Sequence, residues 1–369
     1  MTVLQDITAY IANTTTTLSP INLPLAPVTP LSQLLHHVTT THVHPVYYPF
    51  LRFGAIHAAR VTLVWAALTR GRKRTVPFFQ DLFGYLVVAC ESCFASACGL
   101  GYDQRADRIP GGGGTVASLL LSQPPSWLID PTPWLVYPPI YLALVSTGLA
   151  RFIVSTAPTL VNLFGAYIDG ITRGTTISAL PSTLSASSPA IAESLLATAL
   201  ISGITVSSGG WIVQAFGMHE DEWKVGKPTV LNGGVLDTLD LWSGALTGLL
   251  YATLTGSFAE LDGARAVLAL AIPDDLRAKR LGKGIVDTNT ARAISVLVLG
   301  SLLAARVVTQ AILGLRDRKP VTRVLTQEEI IEELTGEKVE VVKTPLDVQI
   351  GGTKVTPRKK RGKSAGLGS

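Results

Sequence analysis

Ionisable side chains inside apolar stretches are the residues of this sequence best placed to do chemistry. Glu91 lies near the middle of an apolar run at 79–100, and Asp169 and Arg173 stand close together in another. An ionisable group at the centre of a membrane costs about 2.5–3.5 kcal/mol on insertion scales, so such groups face a bundle interior or a water-filled cavity. We therefore interpret Glu91 as lining a pore or polar cavity, or as half of a buried pair with an arginine.

The other charged residues of the apolar runs admit structural interpretations as well. Asp169 is four residues before Arg173, so the two can form an intrahelical ion pair that neutralises both. Arg173 lies at the end of its run, where it either snorkels to lipid headgroups or contacts a pore or a lipid. Asp237 and Asp240 begin the sixth run and suit a helix N-terminus. Arg306 is expected to pair with an acid or to snorkel.

Two glycine-rich stretches predict broken helices. Gly111–Gly114 follows the second apolar run, and Ser207–Gly210 lies inside the fifth, where Ser208 is a candidate pore hydroxyl. Breaks at corresponding places in two halves of a chain point to an internal repeat with a site between the halves, and three helices per half make the halves inverted. The predicted helix-break glycines are Gly112, Gly113, Gly114, Gly209 and Gly210.

Other motifs predict packing and give no sign of catalysis. Gly244-x-x-x-Gly248 is a small-residue face, suited to helix packing or to a trimer contact. Cys90, Cys93 and Cys98 lack histidine or acidic partners at zinc-like spacing, so we expect no metal site. The sequence has no nucleotide-binding, metalloprotease or serine-hydrolase motif. We therefore expect that the protein is not an enzyme and has no catalytic residues.

Composition indicates that these residues are held by membrane helices. Hydrophobic residues make up 47% of the 369 and charged residues 15%, against about 25% charged in soluble proteins. Because about 20 apolar residues cross the hydrocarbon layer, the runs predict seven spans, with a break between the third and fourth at Ser155–Pro158. The predicted spans are Leu51–Thr69, Phe79–Leu100, Trp134–Phe152, Ser155–Arg173, Ala190–Phe216, Leu236–Gly256 and Ala291–Leu315.

The predicted fold class is therefore all-α, a polytopic membrane protein with two inverted three-helix repeats plus one helix. Residues 1–49 form a luminal N-terminal segment, 50–315 the transmembrane domain, and 316–369 a polar and basic tail that we expect to be largely disordered. The basic loop at Arg70–Arg74 and the basic start of the tail place both on the cytosolic side. The basic cluster Arg358–Lys363 suits anionic lipid headgroups. It also matches a nucleic-acid patch, but in a chain with seven spans we expect membrane lipids and no nucleic acid as partners.

Several of these motifs together resemble the trimeric intracellular cation (TRIC) channel family. The family has a glycine triplet, a leucine-rich stretch and Pro-Pro in its second-helix region, an aromatic-Pro-Phe before the first helix, a basic motif on the fourth and a glycine pair on the fifth. The similar marks occur here in the same order and with similar spacing from Tyr48 to Gln310. They are Tyr48-Pro49-Phe50, Gly112–Leu121 with Pro124-Pro125, Ile171-Thr172-Arg173, and Ser208-Gly209-Gly210 followed by Phe216 and Trp223.

The resemblance implies a potassium channel. It implies a homotrimer with a potassium-permeable pore in each protomer, residence in the endoplasmic reticulum or a related membrane, and counter-ion flow during calcium release or uptake. In the family's basic motif, tied to phosphoinositide binding and the pore, Asp169, Gly170 and Thr176 replace a lysine, an acid and a lysine, and Arg173 is kept. The only bound molecule it implies is a phosphoinositide or other anionic lipid, with no other cofactor. A secondary transporter with inverted repeats and a non-conducting membrane scaffold are the alternative functions.

Overall fold

The computed structural model describes residues 28–44, 46–92, 114–272 and 284–317, all within one compact unit. Some predicted features lie outside the described part: Gly112, Gly113, the side chain of Glu91, the tail from 318, and residues 98–110, whose sequence suits an insertion that interrupts the second helix. The helices are α1 Val28–Thr40, α2 Arg52–Leu68, α3 Phe78–Ser92, α4 Thr115–Leu120, α5 Ser126–Ile129, α6 Thr132–Ser146, α7 Leu149–Thr156, α8 Pro158–Ser187, α9 Pro189–Ala192, α10 Leu195–Ala215, α11 Leu239–Thr255, α12 Asp262–Ala271 and α13 Thr288–Asp317.

The N-terminal segment adds structure that the sequence reading did not predict. Helix α1 buries Val28 and Leu35 completely, in the same hydrophobic cluster as residues of α8 and α13. Between α1 and α2 the chain forms a short antiparallel pair of strands, β1 His42–His44 and β2 Tyr48–Leu51. The described residues are otherwise helical, with short 3₁₀ turns, in keeping with the predicted class.

Apolar helices make this a membrane-embedded protein. Among the described residues, Leu195–Ala215 and Thr288–Gly314 are long and apolar enough to cross a membrane, judged by length and composition. Helices α6 and α7 add a third span if they count as one helix broken by a bend of 71°. Helices α2 and α11 have 17 residues each, and α8, with 30, carries charges and many hydroxyls.

The distribution of side chains is typical of a protein surrounded by lipid. Large apolar residues point outward, such as Phe164 at 70% exposure and Leu196 at 68%. Many threonines and serines lie inside, and Ser202, Ser208, Ser243 and Thr247 are fully buried. A soluble monomer rarely exposes such apolar surface. The buried serine and threonine side chains therefore point to a functional site between the helices.

Glycines set the closest helix contacts. A Cβ on Gly170 of α8 would stand 2.7 Å from the Cα of Gly300 in α13, so these backbones touch. Helices α10 and α11 pack equally closely, because a Cβ on Gly244 would stand 2.8 Å from the Ser202 carbonyl oxygen, and one on Gly248 would overlap the Ser202 side chain. The Gly244–Gly248 face is therefore filled by α10 of the same chain, as expected for helix packing, and is not free for a trimer contact.

Helix ends correct two predictions and confirm one. The break at Ser155–Pro158 is confirmed, since α7 ends at Thr156 and α8 begins at Pro158. The predicted end of the fourth span at Arg173 is wrong, because α8 continues to Ser187. Most hydroxyls of this extension bond to backbone carbonyls about one turn back, as Thr176 does to Thr172 at 2.9 Å.

The predicted break at Gly209 and Gly210 is also wrong. Helix α10 runs without interruption from Leu195 to Ala215. Glycine in a helix costs only about 1 kcal/mol relative to alanine, which the packing of α10 outweighs. The two glycines widen the space beside the helix instead of bending it. At the other predicted break, Gly114 immediately precedes α4.

Candidate functional site

A cavity of roughly 190 Å³, with a mixed polar and apolar lining, lies between α2, α3, α8 and α10. Helix α8 contributes Asp169, Thr172, Arg173 and Thr176, which share one face because they are spaced by three or four residues. Two features predicted from the sequence meet in the wall of this cavity. One is the charged residues of the fourth span, and the other is the glycines at the predicted helix breaks of the two halves. The glycines that line it are Gly114, Gly209 and Gly210.

Asp169 is held at the cavity by an arginine on another helix. Arg60 of α2 donates from Nη2 to Asp169 Oδ2 at 3.0 Å and from Nε to Oδ1 at 3.3 Å. The approach needs Gly165 on α8, where a Cβ would stand 2.2 Å from Arg60 Cζ. A two-pronged contact fixes the plane of the carboxylate. The pair joins α2 to α8, the first helices of the two predicted halves.

Arg173 belongs to a second charge cluster that joins three helices. Its Nη1 donates to Asp240 Oδ1 at 3.0 Å, and Arg306 Nη1 of α13 donates to Asp240 Oδ2 at 3.0 Å. The expected acidic partner for Arg306 is thus confirmed. The intrahelical pair expected between Asp169 and Arg173 is wrong, because each finds a better-oriented partner on another helix. The cluster of Arg173, Asp240 and Arg306 keeps one uncompensated positive charge beside the cavity.

Gly210 leaves open space in the wall. A Cβ built there meets no atom within 4 Å, and Gly210 is exposed although it lies in α10. A Cβ added at this position would therefore disturb no helix contact. Ser208 differs: it is fully buried two residues earlier and is not among the residues that line the cavity.

A second cavity of about 190 Å³ continues along the same two helices. It is lined by Ile177 of α8, one residue beyond Thr176, and by Ser202 of α10, one turn from Thr205. Thr198 also lines it. Successive turns of α8 and α10 therefore line one cavity and then the other.

Buried hydroxyls without protein partners mark this line. The hydroxyls of Thr198, Ser202 and Thr205 are buried and have no hydrogen-bond partner among the described residues, nor has that of Thr175 on α8. The three on α10 are spaced by four and three residues, so they form one stripe. A buried hydroxyl costs free energy unless it is hydrogen-bonded. These groups can be satisfied by water or an ion in the adjoining cavities.

A third cluster closes one end of the helices. Asp81 of α3 accepts from Trp65 Nε1 at 3.0 Å, and also contacts Arg72 and the hydroxyl of Tyr141. Arg72 donates further to the Met218 carbonyl at 2.7 Å, which ties the end of α2 to the segment after α10. Asp81 was not among the charged residues singled out from the sequence.

The loop after α2 is fixed to that same segment. Asp221 accepts from the backbone N–H groups of Lys73 at 3.0 Å and Arg74 at 3.1 Å. Donation by the Arg74 N–H, with that of Lys73, lowers the pKa of the Asp221 carboxyl below its ordinary value despite the opposing effect of desolvation. The loops that follow α2 and α10 therefore lie on one side of the molecule.

Some of the predicted site residues lie together in the structure, and others lie apart. Asp169, Arg173, Gly114, Gly209 and Gly210 share one cavity, whereas Ser208 lies apart from it. The reading overlooked the stripe of unpaired hydroxyls. Their spacing was the available signal, since hydroxyls recurring every three or four residues in an apolar helix share a face.

Comparisons with known proteins assign no family. No protein family, no curated protein and no solved structure matches the chain.

Proposed function

We propose that the protein is a potassium channel of an intracellular membrane, similar to the TRIC channels and supplying counter-ion flow for calcium release or uptake. One observation carries the proposal: glycines from both predicted halves and the charged pair of α8 line a single cavity. These residues lie far apart in the sequence and belong to two separate predicted features. That they line one cavity supports a site between the two halves of an internally repeated chain.

The proposed path follows the contact between α8 and α10. A cation would pass from the cavity at Gly210, along the hydroxyls of Thr205 and Ser202, into the second cavity. Hydroxyl and carbonyl oxygens replace part of a potassium ion's hydration shell, as selectivity filters do. The buried, unpaired state of those hydroxyls supports this role, because a dry apolar contact would leave them unsatisfied.

Arg173 is the proposed gate. Its guanidinium lines the first cavity and is drawn to one side by Asp240 at 3.0 Å. A positive charge that swings into the path raises the barrier for cations, whereas one held against a carboxylate lowers it. We propose that Asp240 keeps Arg173 clear of the path in the open state.

Seven spans in a 3+3+1 arrangement, a homotrimer and a cytosolic C-terminus complete the proposal. In that arrangement the first and fifth spans end on the same side. The contacts of Arg72 and Asp221 support it, since they join the ends of α2 and α10. The salt bridge between Arg60 and Asp169 also supports it by joining the two first helices of the halves.

Recording from the purified protein in planar bilayers under a potassium gradient tests the function. The channel proposal expects discrete current steps that reverse near the potassium equilibrium potential. Saturating flux without unitary steps would favour a secondary transporter. If correctly folded protein shows neither unitary current steps nor substrate-dependent flux, the result would favour a non-conducting membrane scaffold. Glu91→Gln, which removes the one predicted pore charge on α3, is the first variant to record.

A further inference from the structure

A basic cavity lies away from the proposed path, beside the segment that follows α2. It measures about 550 Å³, within the range typical of small-molecule sites. Its cations come from the segment after α2 and from α7. They are Arg70, Arg72, Lys73, Arg74 and Arg151, and Asp81 is the one acid in the lining.

The charges of this basic pocket are only partly compensated within the protein. Asp81 is occupied by Arg72, and Arg74 reaches Glu222 at 3.3 Å on the exposed rim. The side chains of Arg70 and Arg151 have no ion-pair or hydrogen-bond partner among the described residues. Two arginines that line one cavity and have no acidic partner there favour a ligand that carries negative charge.

The rest of the wall combines apolar side chains with a few hydroxyls. Phe152, beside Arg151 on α7, is 65% exposed, and Ala66 and Val154 lie deeper in the pocket. Helix α7 follows the bend of 71° after α6, which places both side chains across from the loop after α2. A cavity that combines cations with an exposed aromatic side chain fits an amphipathic ligand better than a free ion.

We propose that this pocket binds the phosphate monoester headgroup of an anionic lipid. Arg70 and Arg151 would bind the phosphate, and Phe152 would pack against the acyl chains. The loop Arg70–Arg74 is the most basic in the chain, and the positive-inside rule places such a loop on the cytosolic side. Anionic lipids populate that leaflet. The site is separate from the cavity at Arg173 and does not depend on the proposed channel activity.

Thermal unfolding of the full chain in non-ionic detergent, titrated with dioctanoyl phosphatidic acid, tests the proposal. The lipid should raise the unfolding temperature in a saturable way, whereas dioctanoyl phosphatidylcholine should not. Near a membrane surface each cation contributes about 1 kcal/mol, so Arg70→Ala and Arg151→Ala should each weaken binding about fivefold. The double variant should weaken it by more than tenfold.

Matched variants keep the result interpretable. Lys227→Ala removes an exposed cation outside the pocket and should leave the titration unchanged, while Arg70→Lys with Arg151→Lys should restore most of the affinity. Equal stabilisation by inorganic phosphate at the same concentrations would overturn the lipid as occupant. Unchanged binding in the double alanine variant, or no stabilisation by phosphatidic acid, would overturn the site itself.

Discussion

Asp240→Asn is the substitution that most directly probes the charge cluster of the interior. Asp240 bridges Arg173 and Arg306 at 3.0 Å each, and its side chain is 27% exposed. Breaking a buried pair costs about 3–5 kcal/mol, and exposed pairs contribute about 0.2–1 kcal/mol. With a quarter of the side chain exposed and two arginines left unpaired, we expect a loss of about 3 kcal/mol.

Thermal unfolding in detergent measures that loss. For a chain of this size, about 2 °C per kcal/mol converts it to a fall of about 6 °C in the unfolding temperature. Asp237→Asn is the matched control, because Asp237 is exposed at the start of the same helix and should stay within about 0.5 kcal/mol of the native protein.

A double-mutant cycle then separates the ion pair from other effects. Arg306→Gln alone should cost less than Asp240→Asn, because Arg173 still neutralises Asp240. The double variant should fall short of the sum by about 0.5–3 kcal/mol, as expected for residues in contact. Additive losses, or an Asp240→Asn variant as stable as Asp237→Asn, would refute the account of this cluster.

Three further predictions test the helix start, the helix packing and the path. Partial burial tends to raise the pKa of Asp287, yet hydrogen bonds from Thr290 and from the N–H of Asn289 hold that pKa lower than usual. Asp287→Ala should therefore lower the stability by about 1 kcal/mol at neutral pH. Thermal unfolding should show the stability difference between native protein and variant shrinking as the pH falls through that lowered pKa. Gly170→Ala should destabilise by about 1–3 kcal/mol because its Cβ would meet backbone, whereas Gly314→Ala should not. Thr205→Val should lower the unitary potassium current without lowering the unfolding temperature.

These outcomes have clear opposites. An Asp287→Ala loss that grows toward acid pH would contradict the cap, since a carboxyl with a lowered folded pKa stabilises only above its titration. Equal stability of the two glycine variants would contradict the contact between α8 and α13. A Thr205→Val channel with native current would remove that hydroxyl from the path.

The sequence was most informative where a local rule decides the structure. Proline at 158 cannot continue the preceding helix, and the predicted break is present between α7 and α8. An arginine in an apolar run was expected to pair with an acid or to snorkel, and Arg306 pairs with an acid. The sequence alone could not identify Asp240 as that acid, because the choice of partner depends on how α11 and α13 pack.

Tertiary packing explains the predictions that were wrong. Spacing alone makes Asp169 and Arg173 neighbours on one helix, but Arg60 and Asp240 approach them from other helices with better geometry. Glycine propensity predicted a break at Gly209 and Gly210, whereas packing keeps α10 helical through both. The basic pocket joins loops distant in sequence, which no local pattern reveals.

The unitary conductance of Gly210→Leu most directly tests the central claim that a cation path runs beside α10. A Cβ at Gly210 meets open space in the cavity wall, so leucine should narrow the path while the fold survives. Gly314→Leu is the control, since its Cβ also meets no atom within 4 Å but lies on α13 away from the cavity. We predict a potassium conductance at least about twofold lower for Gly210→Leu and unchanged for Gly314→Leu. Native conductance in a folded Gly210→Leu channel would contradict the claim.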